Sequence, residues 1–192
     1  MDIKTIFVVC SSILMVVCVI PYLVEVVRGK AKPRVVSWFI WSIITGIGCA
    51  AAFVDHQYPT AILLLLSSMG TMLTGILGWK YGDKKIAKLD VSCFVGALIG
   101  LVLWRVFDSP ALAVMAMIMT DFVGGIPSLV HAWRKPYEET LVSYMLSFFA
   151  ASFTLLALSD WVFTAAAYPI FLFAIYLTYT VILFFRRRVV KK

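Results

Sequence analysis

Charge is almost absent from seven stretches of this chain and gathers in the loops between them. The stretches cover residues 5–27, 35–54, 59–79, 86–106, 110–133, 140–158 and 162–185. A helix needs about 20 apolar residues to cross about 30 Å of hydrocarbon, and there it must satisfy all its own backbone groups. The chain is 62% hydrophobic and only 14% charged, where a soluble domain carries about a quarter charged residues. Its mean hydropathy is +0.98. The expected fold is therefore an all-α integral membrane protein with seven transmembrane helices. The first stretch is too long and too poorly flanked for a cleaved signal peptide.

The basic residues orient the chain. Counting Lys88, at the start of the fourth stretch, with the loop before it, Lys and Arg number 4, 4, 2 and 5 in the loops after the first, third and fifth stretches and in the C-terminal tail, while only Lys4 and Arg105 fall on the other side. Cytoplasmic loops collect Lys and Arg, so the N-terminus is expected outside and the C-terminus inside. This sidedness accounts for the net charge of +7 without nucleic acid as a partner. Asp55, Asp108 and Asp160 then belong to outer loops, and Glu25 and His131 lie near the inner ends of the first and fifth stretches. The basic tail is read as an inside anchor able to touch anionic lipid heads.

A repeat is visible at a shift of 106 residues. Ile20-Pro21 and Leu23-Val24 fall on Ile126-Pro127 and Leu129-Val130, Arg28 on Arg134, and Ser37 on Ser143. Seven of the 18 positions in 20–37 are identical. Slightly out of phase, Tyr58-Pro59 matches Tyr168-Pro169. Stretches 1–3 would then recur as 5–7, with the fourth as a linker. An even number of crossings separates the copies, so they point the same way, a known transporter plan with its site between the copies. The implied division is 1–79 for the first triple-helix bundle, 80–109 for the linker helix, and 110–192 for the second bundle with the tail.

A 3+1+3 chain with a proline before a short basic loop in each copy resembles the SWEET and PQ-loop superfamily of membrane transporters. The family's Pro-Gln pair reads Pro21-Tyr22 and Pro127-Ser128 here. The resemblance implies alternating access: two triple-helix bundles rock about a central cavity, with Pro21 and Pro127 as hinges. Each proline does remove a helix hydrogen bond, to the carbonyl of Val17 or Val123. A static kink is the alternative. Sugar-carrying members use asparagines on the third helix of each bundle; this chain contains no asparagine. In its place stand Ser67 and Thr71 on the third stretch and Tyr176 and Tyr179 on the seventh. They are candidates for lining a cavity or, as small residues often do, for close helix packing.

Only one carboxylate is deep. Asp121 lies 11 residues after Pro110 and 13 before Arg134, roughly 16 and 20 Å from the two ends at 1.5 Å per residue. A carboxylate at that depth costs about 2.5–3.5 kcal/mol to insert and ordinarily faces protein or a cavity. Gly124, Gly125 and Ser128 share its helix face, a bare surface that a ligand or a helix can approach; the aligned face in copy one carries Met15, Cys18 and Tyr22. Three roles are open for Asp121: a proton-coupling site, the partner of a cationic substrate, or a packing residue bonded to a neighbour such as Ser11 or Thr120.

The expected function is transport of a small solute by alternating access, with protons as the coupled ion. The alternative is a receptor or non-transporting scaffold on the same fold. No enzyme chemistry and no cofactor are expected. A retinal protein would need a lysine in the seventh stretch, and none occurs between Lys135 and Lys191. An aspartyl protease needs a second deep aspartate. His56 and His131 fall on opposite sides, and Cys10, Cys18, Cys49 and Cys93 sit in apolar runs as small hydrophobes, so no metal site is expected. Trp79, Trp104, Trp133 and Trp161 stand at stretch ends, as an interfacial belt requires. Trp38, Trp41 and Tyr144 are either belt residues or the border of an inner gate. The expected partners are a small-molecule substrate, membrane lipid and a second copy of the chain. The expected place is a bacterial inner membrane.

Overall fold

Helix is the sole regular structure among the described residues of the computed structural model, which are 2–54, 58–82, 86, 88–106, 110–159 and 161–190. Asp55, His56, Asp108, Asp160 and Lys191–Lys192 lie outside them, as do the side chains of Tyr58, Pro59, Trp104 and Arg105. The helices are α1 (Ile3–Val17), α2 (Val19–Val27), α3 (Val35–Val54), α4 (Tyr58–Tyr81), α5 (Lys88–Val106), α6 (Pro110–Arg134), α7 (Leu141–Ala157) and α8 (Phe163–Val189). A short 3-10 turn, Pro136–Glu138, lies between α6 and α7. Three helical stretches are long and apolar enough to cross a membrane: Ile3–Val27, Val114–Arg134 and Phe163–Val189, with mean hydropathies of 2.6, 1.4 and 2.0. Val35–Gly46 and Leu141–Ala157 are shorter apolar helices.

The first apolar stretch divides into α1 and α2 at Cys18, whose own backbone stays helical at φ −63° and ψ −24°. The division falls three residues before Pro21. Pro21 has no N–H for the Val17 carbonyl, and a turn without that bond opens easily. The second proline behaves differently: α6 runs unbroken through Pro127.

Helix ends explain why the aligned loops diverge. Gly29 takes a positive φ of 69°. Its N–H bonds the Val26 carbonyl at 2.9 Å, and the N–H of Lys30 bonds that of Glu25 at 2.9 Å. This paired closure is the Schellman stop, which favours glycine because the left-handed region clashes with a side chain. The residue aligned with Gly29 is Lys135, which stays at φ −132° and leads into the 3-10 turn.

Polarity is inverted relative to a soluble protein. Ser11, Ser42, Thr74, Thr120, Ser128, Glu139 and Ser147 are buried, while Ile3, Val16, Leu66, Val102 and Phe185 are exposed. An apolar exterior of this extent suits a hydrocarbon solvent, whereas in water it would aggregate. Helix pairing is uneven. α3 packs most extensively on α4, α5 on α6, α1 on α7 and α7 on α8; α6–α8, α3–α6 and α2–α4 are further pairs. Among the described residues α2 meets α3 through side chains alone, the ring of Tyr22 against that of Trp38.

Candidate functional site

Asp121 sits where α3, α6 and α8 converge. Its Oδ2 accepts a hydrogen bond of 2.9 Å from the Tyr168 hydroxyl on α8. The indole of Trp41 on α3 reaches toward the same carboxylate, but its buried N–H falls short of a hydrogen bond. Neither partner suggested by the sequence is used. Ser11 bonds Thr154 across α1 and α7 at 2.6 Å, and the buried Thr120 hydroxyl has no partner among the described residues.

The Gly pair lets these helices close up. A Cβ on Gly124 would come within 2.7 Å of Ile40 Cγ2, and one on Gly125 within 3.4 Å of the Trp41 ring. The Tyr179 hydroxyl donates to the Gly125 carbonyl at 3.2 Å, two residues before Pro127. Ser128 is buried, and its hydroxyl has no partner among the described residues. Thus Asp121, Gly124, Gly125 and Tyr179 are brought together. Ser67 and Thr71 are not: Ser67 is exposed, and the Thr71 hydroxyl bonds the Ser67 and Ser68 carbonyls of its own helix, both at 3.0 Å. The α3–α4 contact is instead knitted by Ser42 and Ser68, each hydroxyl bonding the other's carbonyl.

Toward the basic loops the aromatic residues form one continuous chain. Trp41 meets Trp38 edge-on at 5.2 Å, Trp38 meets Tyr22 at 4.8 Å, Tyr22 meets Tyr144 edge-on at 6.4 Å, and Tyr144 stacks on Tyr179 at 4.4 Å. Aromatic pairs at such spacings are each worth about 0.5–1.5 kcal/mol beyond their burial. Trp38 and Trp41 therefore pack inward, with Tyr144, and not on an outer belt.

Below this chain lies a residue that sequence reasoning passed over. Glu139 follows the 3-10 turn and is 1% exposed. Its Oε2 accepts from the Tyr22 hydroxyl at 3.1 Å and from that of Tyr144 at 3.2 Å. Its Oε1 has no partner among the described residues. Burial pushes this carboxyl up to about 8, against the opposing pull of the two phenols. The neighbouring Glu138 behaves oppositely. Burial works to raise it, but hydrogen bonds from Lys32 and Lys135 prevail and hold it below the usual carboxylate range. Lys32 Nζ lies 2.9 Å from Glu138 Oε1; Lys135 Nζ and His131 Nε2 each lie 3.3 Å from Oε2.

No family model, no curated protein and no solved structure matches this chain. The site is accordingly characterised by its own geometry.

The C-terminal end of α8 completes that geometry. Arg187 donates through Nε to the Pro136 carbonyl at 2.9 Å and through its guanidinium to the Glu139 carbonyl. Tyr137 returns a bond to the Arg187 carbonyl at 2.6 Å. Arg186 bonds the Trp133 carbonyl at 3.0 Å and lies over its ring. Part of the basic tail is thus a structural clamp on the 136–139 loop. The signal for Tyr168 was present in the repeated Tyr-Pro pair. For Glu139 the only signal was an acid in an otherwise basic inner loop.

Proposed function

We propose that this chain is a multi-pass small-solute transporter that works by alternating access between two triple-helix bundles, coupled to protons through Asp121. The observation that carries the reading is the carboxylate itself: an ionisable group far from either end of a candidate span, held by α8 and approached by α3. Such a group belongs to an ion or substrate path more often than to packing.

The helix pairing supports the two-bundle arrangement. Under the 106-residue shift α2–α4 maps onto α6–α8, α3–α4 onto α7–α8, and α1–α7 onto α3–α6. Lys32 and Glu138 are themselves 106 residues apart, and the Lys32 N–H also bonds the Glu138 carbonyl at 2.7 Å. Residues related by a two-fold axis meet each other only at that axis, so this pair suits a pseudo-two-fold running through the basic loops. In this reading the inner ends are closed.

The test is uptake into liposomes with and without a pH gradient. Wild type is expected to accumulate solute under a gradient, and Asp121→Asn to equilibrate it without accumulation. Identical accumulation by both would overturn the assignment of Asp121. A thermal-shift screen of small metabolites on both proteins identifies the solute by stabilisation that the variant loses. A ligand bound without any flux would favour a receptor on this fold.

A further inference from the structure

We infer that Glu139 is a second proton-binding site, a latch whose carboxyl ties the inner ends of the two bundles together only in its protonated form. The inference rests on the two-bundle reading above and adds to it a proton site at the inner end, distinct from Asp121.

The geometry is that of a neutral acid. One oxygen, Oε2, takes both available donors, the hydroxyls of Tyr22 from the first bundle and Tyr144 from the second. The other oxygen is buried with no donor among the described residues. As an anion, Oε1 would carry charge with nothing to satisfy it, the most unfavourable arrangement for a buried carboxylate. As an acid, Oε2 remains the carbonyl that the phenols bond and Oε1 holds the proton. One cation, Arg187, acts on the carboxyl, and its downward pull is weaker than the upward push of burial. Tyr22 faces it from α2, Tyr144 from α7, and Tyr179 and Arg187 from α8, while Glu138 flanks it on the 3-10 turn. The Arg187 guanidinium bonds the main-chain carbonyl of Glu139. Lys32, Lys135 and His131 converge on Glu138 instead.

Separation of Tyr22 from Tyr144 would let water reach Oε1, and the carboxyl would return toward its ordinary range near pH 4.5. Below that range both arrangements hold the proton, and above about 8 neither does. Between the two, the closed arrangement binds one proton more than the open one. Closure is then favoured at lower pH and weakened as pH rises through about 8. The inner end would take up a proton on closing and release it to the inner side on opening.

An infrared titration of the purified full chain tests the site. Wild type is expected to show a protonated-carboxyl carbonyl band at neutral pH that disappears around pH 8. Asp121→Asn should keep that component and Glu139→Gln should lack it. A band at neutral pH that Glu139→Gln leaves intact overturns the proposal. Tyr22→Phe and Tyr144→Phe each delete one phenol while keeping the acid. Since those donors favour the anion, both should move the midpoint upward, and an unmoved midpoint in both also overturns it. The latch is read by hydrogen exchange of residues 28–34 and 135–140 at about pH 7 and about pH 9. At the higher pH wild type should exchange about tenfold faster than Glu139→Gln; equal rates overturn the latch. None of these readouts needs a solute. A chain that titrates as described but moves nothing retains the latch and loses only the transport proposal.

Discussion

Asp121 and Tyr168 lie 47 residues apart in sequence and 2.9 Å apart in space, and that single bond separates two variants that look alike on paper. Asp121→Asn keeps an oxygen that accepts from Tyr168, so the fold should survive with a melting temperature close to wild type while gradient-driven accumulation is lost. Tyr168→Phe leaves the carboxylate buried without its donor. A hydrogen bond to a charged group is worth about 1.5–3 kcal/mol, so chemical denaturation in detergent should show a loss of that order, and full stability in Tyr168→Phe would mean that the bond is not formed.

At the scale of elements, the approach of α6 to α3 depends on one missing side chain. Gly124→Ala places a methyl 2.7 Å from Ile40, itself 3% exposed. Overpacking of this kind costs about 1–3 kcal/mol. Gly125→Ala meets the Trp41 ring at 3.4 Å and the Tyr179 hydroxyl at 4.0 Å, both ordinary contacts, and should be nearly neutral. In a double-mutant cycle Ile40→Ala should partly relieve Gly124→Ala, with a coupling above about 0.5 kcal/mol; simple additivity would place the two helices further apart. The two prolines differ as well. The division at Cys18 precedes Pro21, whereas α6 is continuous through Pro127. If the first is the working hinge, Pro21→Ala should slow solute flux more than Pro127→Ala does, at equal expression and thermal stability.

For the molecule as a whole, the basic loops 28–34 and 134–139 are held by two adjacent acids that titrate in opposite senses. Glu138 is held below the usual carboxylate range, so its clasp to Lys32 is fully present above that range and is lost only as pH falls through the lowered value. Glu139 is pushed up to about 8, so its contribution is present in acid and lost as pH rises through that value. Closure should therefore be firmest in mild acid, above the lowered Glu138 value and near the ordinary carboxylate value of 4.5, and should weaken from there up to about pH 8. Lys32→Glu should open these loops to proteolysis, and the swap Lys32→Glu with Glu138→Lys should restore part of the protection. Because the pair is partly exposed, the effect of either change should shrink as salt is raised.

How much of this was legible in the chain follows from what is local. Apolar run length and charge placement are properties of a few neighbouring residues, and they located the helices closely: 35–54 became α3 (Val35–Val54), and 110–133 became α6 (Pro110–Arg134). Asp121 stood out for the same reason, as a charge inside such a run. The division at Cys18 was not legible, because Pro21 and Pro127 carry nearly the same flanking sequence and yet only the first marks a boundary between two helices. Ser67 and Thr71 were chosen by helical spacing, which gives a face but not what that face meets. Glu139 looked like any loop acid. It is buried because Tyr22, Tyr144 and the Arg187 clamp arrive from three different helices, and only their packing excludes water from its free oxygen. The sequence by itself determined where the chain is helical and where it carries charge, since both follow from the solvent each segment can tolerate. Tertiary structure alone decided which charges are paired, which are buried and which therefore hold a proton, because those depend on neighbours brought together from distant parts of the chain.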